Sequence, residues 1–242
     1  MSLTHATVAI TGASRGLGRA IARHCAAAGC NVALLARSAS APSHKGLCGT
    51  LEDVAEDVER LGGTPLVLET DISDLESVRK SMGRIGERFG ALDALVNNAS
   101  ALYVGNQPKR AELLFRVNLQ GTLNAIEMAR PLLERGRLKH ILSISPPVDS
   151  FSIDWACPHP AYTASKYGMS MITLGYARAF CANTLWPRKL YKTAATERME
   201  RELGQPYHTR GLDPPLFASA VEAVLSSRRT GTCLLDGDVV SL

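Results

Sequence analysis

Short apolar runs recur along the chain at residues 7–10, 32–36, 65–68, 94–96, 140–144, 183–185 and 233–235. Unbroken runs of this length read as strands buried on both faces. Between them lie stretches with apolar positions at helical spacing, as in Ala20, Ile21, His24 and Cys25, or Leu113, Val117, Leu123 and Ile126. Strands alternating with helices imply parallel pairing through right-handed crossovers. The pattern predicts an α/β fold: a doubly wound parallel sheet of about seven strands with helices on both faces.

No internal repeat, low-complexity tract or Pro/Ser linker divides the 242 residues, so a single domain over 1–242 is expected. Segments 38–49, 146–160 and 187–215 read as irregular. In such a sheet ligands bind beyond the carboxyl ends of the strands, where these loops should lie. Lys and Arg number 27 against 23 Asp and Glu, a formal charge of +4, and the signs are interleaved. That pattern builds no basic stripe for nucleic acid, and no apolar stretch reaches the roughly 18 residues of a membrane span. The six cysteines form no C-x-x-C pair, and the N-terminus leaves no room for a secretory signal before residue 7. A reducing, cytoplasmic setting is expected, with an organelle left open; the terminal Val-Ser-Leu is not the peroxisomal Ser-Lys-Leu.

The segment Thr11-Gly12-Ala13-Ser14-Arg15-Gly16-Leu17-Gly18 follows the first strand and opens the first helix, the setting of a Rossmann-type cofactor turn. Gly12 permits the tight turn, Gly16 admits backbone N–H groups to a pyrophosphate, and Gly18 lets the helix pack on the strand. Ala13 and Ser14 are small enough to leave space. A plain turn would use glycine for its freedom alone, but here strand, spacing and helix coincide. At the end of the second strand an NAD-selective site places an acid on the ribose hydroxyls. This chain has Ala36 and then Arg37. Paired guanidinium donors suit a 2′-phosphate, and Arg15 can grip it from the other side, so NADP(H) is the expected dinucleotide. Two solvated surface arginines are the alternative.

Tyr162 and Lys166 lie four residues apart at the start of a helix and so reach one site. A phenol of ordinary pKa must fall by about three units to exchange protons near neutrality, roughly 4 kcal/mol of preference for the phenolate. Exposed charge pairs supply at most about 1 kcal/mol. The site must therefore be partly desolvated and combine the lysine ammonium with the positive nicotinamide ring. Tyr162 is expected to act as acid in reduction and base in oxidation, and Lys166 to lower its pKa and to donate to the nicotinamide ribose.

These motifs together make the sequence similar to the short-chain dehydrogenase/reductase family over about residues 7–235. They stand in the family's order: residues 11–18, Asp71, Asn97-Asn98-Ala99, Asn118, Tyr162, Lys166. The resemblance implies that Asp71 contacts the adenine ring and that Asn97 and Ala99 line the adenine-side pocket and support the sheet. It further implies a water-mediated proton relay from Asn118 to Lys166, and a homodimer or homotetramer. Read locally, Asp71 is equally a helix cap near Asp74, and Asn97-Asn98 a turn. Ile144-Ser145-Pro146-Pro147 and Tyr167-Gly168-Met169-Ser170-Met171 resemble a hydroxysteroid-dehydrogenase-like subgroup. Some of its members add a C-terminal sterol-carrier domain, and no lipid-transfer role is expected of these residues.

Two features depart from the family. Its serine for the substrate carbonyl, thirteen residues before the tyrosine, falls on Asp149; counted from the strand it falls on Pro146, with Ser145 one residue early. Pro146 biases Ser145 toward an extended backbone from which its hydroxyl can still turn to the site, and Ser143, Ser150 and Ser152 remain candidates. The family's Pro-Gly after the sixth strand is Pro187-Arg188. Phe151, Trp155, Tyr191 and Met199 are candidate apolar walls. The expected activity is NADP(H)-dependent interconversion of a carbonyl and a secondary alcohol on a small, apolar substrate. The alternative is a non-catalytic NADP(H)-binding sensor or assembly protein.

Overall fold

The computed structural model describes residues 2–41, 48–103, 107–148, 153–157, 159–236 and 238. Seven strands, β1 (Thr7–Thr11), β2 (Asn31–Ala36), β3 (Thr64–Glu69), β4 (Ala94–Asn97), β5 (His140–Ile144), β6 (Cys181–Trp186) and β7 (Cys233–Leu235), form one parallel sheet. Their order is β3-β2-β1-β4-β5-β6-β7. Every predicted run became a strand, with bounds that move by at most 2 residues. The connections are α1 (Gly16–Ala27), α2 (Leu51–Arg60), α3 (Leu75–Phe89), α4 (Pro108–Leu114), α5 (Gly121–Arg135), α6 (Ile153–Ala156), α7 (Pro160–Leu174), α8 (Ala194–Leu203) and α9 (Pro214–Ser226).

Alternate strand residues face opposite sides, and both sides are covered. Val8 and Ile10 pack with Ile21 of α1 and with Phe217 and Val221 of α9. Ala9 faces a second cluster with Val78 and Ile85 of α3 and Ile126 of α5. Double coverage is why the strand sequences are apolar without alternation. β1 pairs with β2 on one side and β4 on the other, so the winding reverses between β1 and β4 and a crevice opens at their carboxyl ends.

Two stretches differ from expectation. Segment 187–215 contains α8, which starts at a capping box in which the Thr193 side chain accepts from Thr196 N while Thr196 Oγ1 accepts from Thr193 N. Thr196 is the helix's one buried residue, so no apolar stripe announces it. The helical run around 113–126 is divided by a π-helical turn, Phe115–Gln120, that links α4 to α5. Segment 146–160 holds α6, while Asp149, Ser150, Phe151, Ser152 and the side chain of Trp155 lie outside the described residues, as do residues 42–47. Among the described residues no helix is long and apolar enough to cross a membrane.

At the opposite end of the sheet a buried carboxylate aligns three strands. Asp93 Oδ2 accepts from Thr7 N at 2.9 Å, and Oδ1 accepts from Arg137 N at 2.8 Å and Leu138 N at 3.3 Å. Asp93→Ala strands these donors and is expected to cost about 3 kcal/mol of stability. Urea unfolding measures it; an unchanged midpoint would contradict the role.

Candidate active site

The site begins where β1 turns into α1. Leu35 O accepts from Gly12 N at 2.7 Å and Ala13 N at 3.2 Å, which folds the turn against β2. Gly12 has φ +68°, and a Cβ there would stand 2.9 Å from Ala99 Cα; one on Gly18 would stand 2.3 Å from Gly12 O. Neither position tolerates a side chain. Thr11 Oγ1 accepts from Asn98 N at 3.1 Å and Ala99 N at 3.0 Å, while Asn98 Nδ2 donates to Thr11 O at 2.8 Å and Gly12 O at 3.1 Å. Asn98, legible in the sequence only as a turn residue, is thus the clamp that fixes the glycine loop to β4. At the head of α1, Arg15 is an extended N-cap whose side chain does not cap, and the first turn holds no acid. Its N–H groups and dipole remain open to an anion.

A cavity of about 500 Å³ occupies the carboxyl ends of the strands. The strand order puts Asp71, after β3, and Arg37, after β2, toward one end of it, Gly12, Ser14, Arg15, Gly16 and Leu17 after β1 and Ala99 after β4 between, and Tyr162 and Lys166, beside β5, toward the other. Gly18, Asn97, Asn118 and Ser145 do not line it. Asn97 is sealed at the end of β4, where Nδ2 donates to Ser143 Oγ at 3.3 Å, so it supports the sheet and leaves the pocket wall to Asn98 and Ala99.

Cationic groups gather around the glycine loop. Arg15 is shifted below its ordinary pKa by burial and by the charges of Arg37 and Arg198. Arg198, from α8, was not singled out in the sequence; its Nη2 donates to Leu102 O at 3.0 Å, and its buried Nε makes no hydrogen bond but stands 3.6 Å from Glu202 Oε1 in an ion pair. Only the folding of α8 over the cavity brings it near Arg15. Asp71 makes an Asx turn with Ser73, and Asp74 is the residue that caps α3. Burial alone would raise the Asp71 carboxyl, but the Ser73 bonds and the charges of Arg37 and Arg116 hold it below the ordinary value. A glycine cradle, an open helix start and converging guanidinium groups fit a dinucleotide with its phosphates.

α7 carries the catalytic candidates. Lys166 is buried; its Nζ donates to Ile144 O at 2.6 Å and Met169 Sδ at 3.3 Å and stands 5.5 Å from the Trp186 ring centre. Tyr162 keeps part of its ring at the cavity surface, yet burial pushes its phenol above the ordinary value. Burial also pulls Lys166 down to about 7. In the chain by itself a low-dielectric wall disfavours both charged forms, and the lysine donors are directed to Ile144 and Met169, so the expected lowering of the phenol is left to the complex with the positive nicotinamide ring. Asn118, in the π-helical turn, accepts from Ala101 N at 2.8 Å and donates to Ala101 O at 3.1 Å and Ser165 Oγ at 2.9 Å. Its amide ties the loop after β4 to α7 one residue from Lys166, rather than bonding Lys166 itself.

Ser145 is fully buried and accepts from Ser170 Oγ at 2.9 Å, which also donates to Pro146 O at 2.5 Å. Ser143 is likewise sealed, bonded to Thr173 Oγ1 at 2.6 Å. Arg188, in the glycine's place, keeps an ordinary negative φ; its N donates to Asp236 Oδ1 at 2.9 Å and its guanidinium pairs with Asp238. Tyr191 and Met199 line the cavity as expected, joined by Leu102, Leu113 and Val117.

Residues 6–183 match the family profile described as short chain dehydrogenase. The chain is 36% identical to hydroxysteroid dehydrogenase-like protein 2 of Mus musculus over 98% of its own length and 49% of that protein's. With the protein of the same name from Homo sapiens the identity is 40%, covering 81% of this chain and 48% of the other. The chain thus spans about half the length of the curated relatives it matches. A crystal structure of a short chain dehydrogenase from Mycobacterium thermoresistibile, 36% identical, superposes with a TM-score of 0.88 over 99% of this chain and 88% of that one.

The Lys166 pKa of about 7 lies below its ordinary 10.5, so between those values the unfolded chain holds the extra proton and stability rises with pH. Below about 7 the buried ammonium burdens the fold in full. In urea unfolding from about pH 6 to about pH 9, the wild type is expected to gain stability relative to Lys166→Met as the pH rises. Parallel pH profiles would contradict a buried, depressed lysine.

Proposed function

The chain belongs to the short-chain dehydrogenase/reductase family, oxidoreductases that take nicotinamide dinucleotides, and we propose that it uses NADP(H) to interconvert a carbonyl and a secondary alcohol on a small, apolar substrate. The observation that carries this reading is one cavity lined both by the glycine cradle and by the half-buried Tyr162 and buried Lys166. When bound, the dinucleotide supplies the hydride in reduction and takes it up in oxidation.

The protein's part is the proton. Burial keeps the Tyr162 phenol protonated near neutrality, which suits an acid. As hydride adds to the carbonyl carbon, the substrate oxygen becomes far more basic than a phenolate, and the Tyr162 proton passes to it. The Lys166 ammonium, held in place by Ile144 O, steadies the phenolate that remains. Oxidation runs the same transfer in reverse. Asn118 acts as a positioning residue, since its four bonds hold the loop after β4 against α7.

Selection of NADP(H) rests on Arg15, Arg37 and Arg198, which line the cavity and whose charges act on one another around the glycine loop. Like charges brought together in a partly buried place favour a bound anion, and a 2′-phosphate supplies one. Asp71 and Ala99, which also line the cavity, are the residues we assign to the adenine side. Exposed Phe115, Leu123 and Met171 support self-association through the face formed by the π-helical turn, α5 and α7.

Tyr162→Phe is expected to lower carbonyl reduction by about a hundredfold or more while NADPH affinity stays within about twofold. Stopped-flow turnover and fluorescence titration measure the two; undiminished turnover would remove Tyr162 from the chemistry. Arg37→Ala is expected to weaken NADPH by at least about tenfold and NADH by no more than about threefold. Equal losses for both dinucleotides, by the same titration, would refute the phosphate assignment.

A further inference from the structure

A ketone oxygen beside Tyr162 needs a second hydrogen-bond donor to hold it in line, and Ser145 does not fill that part: its hydroxyl is sealed against Ser170, outside the cavity wall. Ser100, which does line the cavity, is engaged with Asn118 Oδ1 at 3.2 Å and Ala101 O at 3.2 Å. His159 stands three residues before Tyr162 and lines the cavity together with Tyr162, Lys166 and Trp186.

His159 is the N-cap of α7, but only its backbone serves the helix: its carbonyl accepts from Thr163 N at 2.9 Å, and the side chain makes no capping bond. A Ser, Thr, Asp or Asn there would cap α7 better, so helix formation does not account for an imidazole at this position. Nδ1 is buried and has no hydrogen-bond partner. A proton on a sealed nitrogen without an acceptor would be a stranded donor, so the tautomer with its hydrogen on Nε2 is the one that fits this position. With Nδ1 sealed in a half-buried residue that lines the cavity, Nε2 is the ring nitrogen left to face it.

We propose that His159 is a catalytic residue whose Nε2–H holds the substrate carbonyl oxygen beside the Tyr162 hydroxyl, the part played in the wider family by the serine after β5. The assignment rests on the carbonyl-reductase reading above. It implies a substrate with one exposed acceptor oxygen flanked by apolar surface, because Leu102, Leu113 and Val117 form the neighbouring walls.

The test uses 2-decanone as probe, in turnover with NADPH and in equilibrium binding to the unreactive complex with NADP⁺. His159→Leu is expected to lower kcat/KM by about a hundredfold, as loss of a donor to a developing oxyanion does. It is also expected to weaken ketone binding by about tenfold with NADP⁺ affinity unchanged. His159→Gln, whose amide N–H reaches to a similar place, should keep most of both. Wild-type binding and turnover matched by His159→Leu would overturn the His159 contact and leave the reductase reading intact. Ketone binding that depends on His159 without any turnover would support the contact and sink the reductase reading. A wild type that neither binds nor reduces the ketone overturns both. If His159→Leu loses its cooperative unfolding transition, His159→Gln decides: loss of ketone affinity in that folded variant counts against the Nε2 donor.

Discussion

Taking an ammonium out of water costs several kcal/mol unless other groups replace its hydration, and the replacements around Lys166 come from three elements. Ile144 O at the end of β5, Met169 on α7 and the Trp186 ring at the end of β6 converge on one Nζ. They can do so only because β5 and β6 run in parallel register, with Ile144 opposite Leu185, and because α7 starts at the carboxyl end of β5 and runs back along it, with Ser170 at Ser145 and Thr173 at Ser143. The depressed Lys166 pKa is the residue of that incomplete compensation, since a carbonyl, a thioether and an aromatic face solvate a cation less well than water does. A strained cation of this kind gains most when a phenolate forms nearby, which ties the energetics of the fold to the chemistry proposed for Tyr162.

The far end of the cavity repeats the logic with backbone and guanidinium groups. Thr11 and Asn98 lock the glycine loop, Gly12 and Gly18 allow contacts no side chain would permit, and α1 leaves its first N–H groups uncapped. Arg15, Arg37 and Arg198 come from the head of α1, the end of β2 and α8. Their mutual repulsion is a cost to the folded chain that an anionic ligand would relieve, so affinity and stability are coupled through the same three charges.

The two departures from the family have different consequences. Replacement of glycine by Arg188 is absorbed locally, because the residue keeps a negative φ and its side chain leaves for Asp238. Pro146 has a larger effect: its carbonyl and the adjacent Ser145 are drawn into a closed set with Ser170, which removes a hydroxyl from the substrate end. His159, which lines the cavity beside Tyr162 and has no capping bond from its side chain, is then the group that suits that end.

What the amino-acid order determined alone was whatever depends on near neighbours. Apolar runs marked all seven strands, because burial on both faces leaves no alternation to interpret; the glycine spacing marked the cofactor turn, and the four-residue step from Tyr162 to Lys166 put both on one helix face. Tertiary structure decided everything set by residues distant in the chain. Asn98 became a clamp because it meets Thr11 and Gly12, 87 and 86 positions away, and Arg198 came to share the cavity with Arg15 because α8 folds over it. The sign of the Tyr162 shift, the turning of Ser145 away from the cavity and the exposure of His159 to it depend on local dielectric and on which hydroxyl meets which neighbour. Those are properties of packed surfaces, and a one-dimensional pattern carries no record of them until the chain has closed.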